Sequence, residues 1–162
     1  GLCGAETVEG AIRRPPPDDL QLGVVRANPE QYRGSEVRWG GHIVSVRNEK
    51  DQTILEVVHR RLQDNGRPRE EDHSAGRFLA KVPGFLDPAV YAANREVTVR
   101  GRVEDVIEQA IGEYRYRYPV LRAELVHLWP PRPPPEPVHY YYDPYWPYPW
   151  GWPYPPPRPR PR

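Results

Sequence analysis

The stretch that decides the fold is Val37-Arg38-Trp39-Gly40-Gly41-His42-Ile43-Val44-Ser45-Val46. Its apolar residues alternate as they do in a β-strand with one buried face. The alternation changes phase at the two adjacent glycines, because Val37 and Trp39 precede them on one face whereas Val44 and Val46 follow on the other. A pair of glycines inside a strand predicts a bulge or a sharp coil, and a strand coiled in this way can close a small barrel.

Five segments between residue 36 and Trp129 alternate in the manner of β-strands. The fourth is the most regular, and its Val97, Val99, Gly101 and Val103 are expected to face inward. The strands are predicted at about residues 36–47, 52–62, 76–82, 97–104 and 118–128. The segments 63–74 and 105–118 are predicted to be long loops.

One short helix is predicted between the third and fourth strands. Asp87 suits its N-cap and Pro88 its first helical position, and Leu86, Val90 and Tyr91 would cover one end of a barrel. Three strands, a short helix and two strands follow each other in the order of the OB-fold, a five-stranded Greek-key barrel. We therefore predict a mainly β, OB-like barrel, with a five-stranded meander as the competing topology.

Composition divides the chain into an ordinary globular part and a proline-rich end. Of the 23 prolines among 162 residues, 15 follow Trp129. We expect an extended N-terminal tether over residues 1–19, the OB-like barrel domain over 20–129, and an extended C-terminal tail over 130–162. The net charge of +1 provides no overall field that would attract nucleic acid or an acidic substrate. No apolar run approaches the roughly 18–20 residues of a membrane-spanning helix.

The C-terminal tail alternates proline with large aromatic side chains, which is unusual for a solvated linker. One interpretation is a disordered low-complexity end. The other is a segment that docks on the barrel, on a neighbouring subunit or protein partner, or at a membrane interface, where Tyr and Trp favour half-wet positions. The residues predicted to make these contacts are Tyr140, Tyr141, Tyr142, Tyr145, Trp146, Tyr148, Trp150, Trp152 and Tyr154.

The sequence contains no motif typical of a catalytic, cofactor or metal site. Strand geometry would allow His42, His59 and His127 to meet, but the favoured interpretation is solvated or singly hydrogen-bonded histidines on the barrel exterior. Acidic pairs such as Glu104-Asp105 are interpreted as solvated charges. The arginines and tyrosines between residues 100 and 118 resemble a nucleic-acid-binding surface, but the balanced charge argues against that partner. We predict no metal, no cofactor and no catalytic residue.

Several short motifs resemble, in order and spacing, the Slp family of bacterial outer-membrane lipoproteins, known as starvation-inducible. They include Tyr32-Arg33-Gly34, Arg38-Trp39-Gly40-Gly41-His42-Ile43, Gly84-Phe85-Leu86-Asp87-Pro88 and Val99-Arg100-Gly101. The resemblance covers about residues 20–129 and continues loosely at both ends. The positions that carry it, and that we expect to be structural, are Trp39, Gly40, Gly41, Gly84, Asp87, Pro88 and Gly101.

The resemblance implies export in a Gram-negative bacterium, acylation of an N-terminal cysteine, and anchoring to the outer membrane with the protein facing the periplasm. It supplies no catalytic residues. Cys3 is the residue that would carry the acyl chains, although Leu2 is larger than the small residue required before a processed cysteine, so a free thiol and an acylated cysteine further upstream remain alternatives. The chain begins with Gly1 rather than methionine, which predicts N-terminal processing or truncation.

Together these observations predict a non-enzymatic structural or binding module of the cell envelope. The alternative is a self-assembling surface or extracellular subunit whose aromatic tail docks on the next copy, since such a contact can propagate into a filament. A small-ligand or metal-binding enzyme is disfavoured because no site for one is found.

Overall fold

The computed structural model describes residues 7–71 and 73–133 of the chain. Three short helices precede five strands: Val8–Arg13 (α1), Leu22–Ala27 (α2), Pro29–Tyr32 (α3), Glu36–Asn48 (β1), Gln52–Arg60 (β2), Arg77–Pro83 (β3), Glu96–Ile111 (β4) and Tyr114–Leu128 (β5). Within these two ranges no helix has both the length and the apolar character needed to cross a bilayer.

The five strands form a closed barrel in the order β1-β2-β3-β5-β4. Strands β3 and β5 are parallel, with Leu79 opposite Val120 and Ala80 opposite Leu121, and every other neighbouring pair is antiparallel. This is the connectivity of a Greek-key barrel rather than of a meander, because β3 pairs with β5 instead of β4. The predicted mainly β, OB-like barrel is confirmed.

Strand β1 closes the barrel because it pairs with a different strand at each end. Its residues 36–42 pair with β4 and its residues 40–48 with β2. The register with β2 shifts between Ile43 and Ser45. Before the shift, Ile43 faces the core on the same alternation of side chains as Trp39. After the shift, the alternation is reversed, and Val46 packs against the core. The change of phase read from the sequence is present, but the bulge predicted at the glycine pair is wrong, since it lies about three residues later.

The glycine pair instead permits close approach of neighbouring backbones. A Cβ atom on Gly41 would lie 1.8 Å from the carbonyl oxygen of Val58, and one on Gly40 would lie 2.6 Å from that of Val97. Non-bonded atoms do not approach so closely, so a side chain at either position would push β1 away from its neighbours. Gly101 on β4 is constrained in the same way by the backbone of β5.

The inward-facing residues of all five strands fill the barrel. Trp39 is buried, its ring meets Phe78 edge-on with the centroids 5.5 Å apart, and its Nε1 donates to the carbonyl of Leu20 at 2.8 Å. Each large apolar side chain buried in this way contributes about 1.5–3 kcal/mol to the free energy of unfolding. The fully buried core residues include Val37, Ile43, Leu55, Val57, Phe78, Val97, Val99 and Leu121.

The helix predicted between the third and fourth strands is wrong. Asp87 begins only a single turn: its carbonyl accepts from the amides of Val90 and Tyr91 at 3.0 and 2.9 Å, and its carboxylate accepts from Ala89 at 2.9 Å. A first helical turn orders several residues but gains few hydrogen bonds, so this turn does not extend into a helix. Tyr91 still packs against the core, with Leu86, but Val90 is exposed.

The long loop predicted over residues 105–118 is also wrong, because β4 and β5 continue as a paired hairpin as far as Ile111 and Tyr114. The turn holds two residues and begins with Gly112 at φ 58°, a position where glycine is preferred. We call residues 105–118 the hairpin arm. Its Ile107 and Ile111 pack against a second apolar cluster on the outside of the barrel, formed by Ile54, Leu79, Tyr118 and Val120.

The described part of the N-terminal segment is not the extended, solvated tether that the sequence predicts. Thr7 caps α1 by accepting from the amide of Gly10 at 3.0 Å, and Ile12 in the same helix is fully buried. The helix ends against the barrel, where Arg100 of β4 donates to the carbonyls of Ala11 and Arg14. Residues 7–14 are therefore part of the folded body.

Candidate functional site

A cleft of about 210 Å³ lies where the N-terminal segment meets the end of β2. The cleft is lined by Arg38 of β1 and His59 of β2. Its other lining residues are Arg61, Leu62 and Arg69 in the loop after β2, and Asp19 and Gln21 before α2. Three of these side chains are guanidinium groups and one is a carboxylate, so the cleft carries a net positive charge. We call it the arginine cleft.

Arg38 is held in place by the end of α1. Its Nη1 donates to the carbonyls of Ile12 and Arg13, both at 2.8 Å, and so satisfies groups that the helix itself leaves unpaired. The residue is 8% exposed, and its Nε has no hydrogen-bond partner among the described residues. Burial lowers the pKa of the Arg38 guanidinium, while nearby Asp19 raises it and Arg100 lowers it.

His59 is the second buried polar side chain of the cleft. It is 4% exposed, and its Nδ1 also lacks a hydrogen-bond partner within the described part of the chain. Burial, followed by the charges of Arg60 and His73, lowers the pKa of His59 to about 4. The imidazole is therefore neutral at pH 7, and the prediction of a solvated surface histidine is wrong for this residue.

The wall formed by the loop after β2 is fixed by its own contacts. Arg61 binds Glu71 through two hydrogen bonds of 2.7 and 2.8 Å. This pairing raises the pKa of Arg61 and lowers that of Glu71. The amide of Arg69 donates to the carbonyl of Arg61 at 2.8 Å, which draws the two arginines to the same side of the loop.

A second polar cluster, around Glu96, joins the loop to the end of the barrel. Arg67 binds Glu96 at 2.6 and 2.9 Å, and its guanidinium lies 5.6 Å from the ring centroid of Trp129. Trp129 is fixed in turn, because its Nε1 donates to Thr98 at 2.9 Å and its amide to the carbonyl of Glu96. His42 is near the same carboxylate, at 3.8 Å. These contacts stabilise the loop and explain the buried charges.

A third cluster lies beside the hairpin arm. Glu56 accepts from Arg77 at 2.9 Å and from the Tyr118 hydroxyl at 2.8 Å. Burial, and then the hydrogen bond to Glu56, raise the pKa of Tyr118 to about 12. A phenol with this pKa stays protonated at pH 7, so it acts as a hydrogen-bond donor in the fold rather than as a nucleophile.

Comparison with known proteins assigns the chain to a family. The profile of the outer membrane lipoprotein Slp family matches residues 2–156. The chain belongs to the Slp family. An uncharacterized lipoprotein of Escherichia coli K12, YeaY, is 34% identical over 154 residues, which cover 91% of this chain and 79% of that protein. The outer membrane protein Slp of the same organism is 29% identical over 130 residues, which cover 79% of this chain and 69% of that protein.

Membership of the Slp family confirms the resemblance inferred from the sequence and places the chain at the outer membrane as a lipoprotein of the cell envelope. Cys3 and residues 140–154 of the tail lie inside the matched range but outside the described residues. Their roles therefore stay predictions.

The positions that suggested the Slp family have structural surroundings where they are described. Trp39 is in the core, and the glycines at 40, 41 and 101 lie against neighbouring backbones. Gly84 adopts φ 85°, a conformation that glycine adopts readily, and Asp87 with Pro88 forms the turn after β3. None of these residues lines the arginine cleft.

Within residues 7–71 and 73–133, no three or more His, Cys, Asp or Glu side chains gather closely enough to hold a metal ion. The structure instead brings together Arg38, His59 and Arg69, of which the sequence analysis considered only His59, and that as a solvated or singly hydrogen-bonded histidine. In the sequence each is one polar residue in a strand or loop, which is the usual pattern of a solvated position. Only the packing of α1 and the loop over that face reveals that Arg38 and His59 are buried.

The buried neutral His59 should make the stability of the protein depend on pH. The unfolded histidine binds a proton near pH 6.5, whereas the folded one does so only near pH 4. The free energy of unfolding should therefore fall by about 3 kcal/mol from this residue as the pH is lowered from 7 to 4. Urea denaturation at a series of pH values measures this slope.

In the His59→Gln variant, the part of the slope between pH 6.5 and pH 4 should be shallower, because a group that titrates only in the unfolded state has been removed. His127→Gln is a suitable control, since this histidine is only partly buried and is not one of the groups that lower the pKa of His59. Equal slopes in the wild-type protein and in His59→Gln would contradict the assignment.

Proposed function

We propose that this chain is a non-enzymatic binding module held at the periplasmic face of the outer membrane by acyl chains on Cys3. The observation that carries the proposal is the extent of the family match, which runs from residue 2 to residue 156 and so includes Cys3, the barrel and most of the aromatic tail. Several acyl chains, at about 0.8 kcal/mol for each buried methylene, provide stable anchoring.

The docked N-terminal segment would keep the barrel close to the membrane. The described part of the chain begins at Thr7, four residues after Cys3, and α1 is bound to the barrel through Arg38 and Arg100. Four residues span at most about 14 Å even when fully extended. In this proposal the arginine cleft, which shares Arg38 with the α1 contact, lies on the part of the barrel nearest the tether.

We further propose that the aromatic tail binds a protein partner or a second copy of the chain. The proposal is supported by the sequence alone, because residues 130–162 contain nine tyrosine and tryptophan side chains, more apolar surface than a solvated end requires. Removal of residues 138–162 should reduce assembly measured by size-exclusion chromatography or change the partners recovered from the envelope. Unchanged behaviour in both measurements would reject a docking role for the tail.

The anchoring proposal is tested by the mass and location of the protein in a Gram-negative envelope. The intact mass of the purified protein should exceed that of the polypeptide by the attached acyl chains, and the protein should fractionate with the outer membrane. Cys3→Ser should release a folded protein into the soluble periplasmic fraction. An unmodified Cys3 in membrane-bound protein, or unchanged fractionation of the variant, would contradict it.

A further inference from the structure

We propose that the arginine cleft is a binding site for a phosphoryl group, either free phosphate or the phosphate of a larger molecule. The assignment rests on the charge of the cleft, on two buried side chains in its wall with unused hydrogen-bonding atoms, and on its size. It concerns the barrel alone and does not require that Cys3 be acylated.

The charge of the cleft is opposite in sign to that of a phosphate ester. Arg38, Arg61 and Arg69 contribute three positive charges and Asp19 one negative charge, while His59 is neutral at pH 7. Glu71 neutralises Arg61 through their two hydrogen bonds, so these side chains sum to about +1. A phosphate monoester carries about −1.5 to −2 at this pH. Guanidinium groups suit this ligand because their N–H groups match the spacing of phosphate oxygens.

Two lining residues retain hydrogen-bonding atoms that the described residues do not satisfy. They are Nε of Arg38 and Nδ1 of His59, and both residues are more than nine-tenths buried. Buried polar atoms are nearly always paired, so two such atoms in one cleft call for an explanation. Both atoms are shielded from solvent, so their pairing with the acceptor oxygens of a ligand requires a small shift of the cleft wall, and the imidazole must carry its proton on Nδ1.

The size of the cleft fits a phosphoryl group with a few further atoms. At about 30 Å³ for each water molecule in the liquid, 210 Å³ corresponds to roughly seven waters. The same cleft is too small to enclose a nucleotide or a sugar chain, so a larger molecule would place only its phosphate there.

Asp19 gives the proposal a distinctive consequence. Among the described lining residues it is the one acidic side chain, and it lies close enough to Arg38 to raise the pKa of that guanidinium. A bound anion would be repelled by this carboxylate. Asp19→Asn should therefore tighten phosphate binding several-fold, an outcome that a merely structural role for the cleft does not produce.

The experiment is a titration of the full chain with inorganic phosphate, followed by NMR and calorimetry. We expect saturable binding with shift changes at His59, about tenfold weaker binding in Arg69→Gln, and several-fold tighter binding in Asp19→Asn. Arg102→Gln, an exposed arginine on β4 that does not line the cleft, should bind as the wild type does. Arg69 is chosen because Arg38 also holds α1 and its loss would disturb the fold.

A second arm separates the sources of the phosphoryl group. Vesicles of phosphatidylcholine with phosphatidic acid should bind the chain in an Arg69-dependent manner if a lipid headgroup is the ligand. Binding of inorganic phosphate and glycerol phosphate without Arg69-dependent vesicle binding would identify a soluble ligand. Absence of saturable phosphate binding, or equal affinities in Asp19→Asn, Arg69→Gln and Arg102→Gln, would overturn the proposal.

Discussion

Gly41→Ala is expected to lower the free energy of unfolding by about 4 kcal/mol or more, and the variant is expected to fold poorly. The added Cβ would lie 1.8 Å from the carbonyl oxygen and 2.8 Å from the carbonyl carbon of Val58. These are backbone atoms of β2, directly beside the rung where His42 pairs with Val58. Relief of the clash would separate β1 from β2, and the barrel would lose one of its closing pairs.

Gly23→Ala provides the matched control, because the same methyl group enters open space. No heavy atom lies within 4 Å of a Cβ built at Gly23, which is in α2. Alanine is the better helix former by about 0.8–1 kcal/mol, so this variant should be unchanged or slightly more stable. Urea denaturation followed by circular dichroism compares the two variants, and similar midpoints would show that Gly41 is not constrained as described.

Arg100→Ala is expected to lower the free energy of unfolding by about 3–4 kcal/mol and to release α1 from the barrel. Arg100 is 6% exposed, and it donates to the carbonyls of Ala11 and Arg14 and to the carboxylate of Glu36 at 2.7 Å. Its removal would leave these partly buried interactions without their shared donor. Amide hydrogen exchange over residues 8–14 should therefore accelerate far more than exchange in the barrel strands.

Arg102→Ala is the control for this prediction, two residues further along β4. Its side chain is 44% exposed, and its contact with Glu124 is 3.5 Å long. Exposed pairs of this kind contribute about 0–1 kcal/mol. If Arg100→Ala and Arg102→Ala lost similar stability, or if exchange over residues 8–14 were the same in both, the docking of α1 by Arg100 would be wrong.

The sequence was sufficient to predict the barrel because its core strands alternate cleanly. In β4, for example, Val97 and Val99 face the core, and Thr98 between them lies on the opposite face, where the loop after β2 covers it. The hairpin arm escaped prediction because its outer residues, such as Gln109 and Arg115, are exposed and because Val106 and Ile107 stand side by side, although tyrosine and arginine alternate over residues 114–118. Its order comes from pairing between two strands, which composition does not reveal.

The helix predicted after β3 and the missed helix α1 failed for a related reason. Asp87 and Pro88 are good helix-starting residues, but local signals do not provide enough length to sustain a helix. Conversely, α1 was missed because Ile12 is a single apolar residue among charges and prolines. Its helix is held by arginines 25 to 89 residues away in the chain, as the Arg38–Arg13 and Arg100–Ala11 contacts show.

The arginine cleft was beyond prediction from one sequence. Asp19, Arg38, His59 and Arg69 are spread over fifty residues and meet only because the barrel brings β1 and β2 beneath the N-terminal segment. Each residue resembles a solvated position on its own strand or loop. Arg38 and His59 belong to the proposed phosphoryl site because they are buried in the wall of the arginine cleft, and burial is a property of the complete fold.

The closed barrel, and the arginine cleft built on it, depend on the parallel pairing of β3 with β5. NMR spectra of the isotope-labelled protein should contain backbone NOEs that connect Leu79 with Val120 and Ala80 with Leu121, across a spacing on the order of 5 Å. Slow amide exchange in both segments should accompany them. NOEs that instead connect β3 with β4, or rapid exchange along an unpaired β3 edge, would show an open sheet and would contradict the barrel and the cleft built on it.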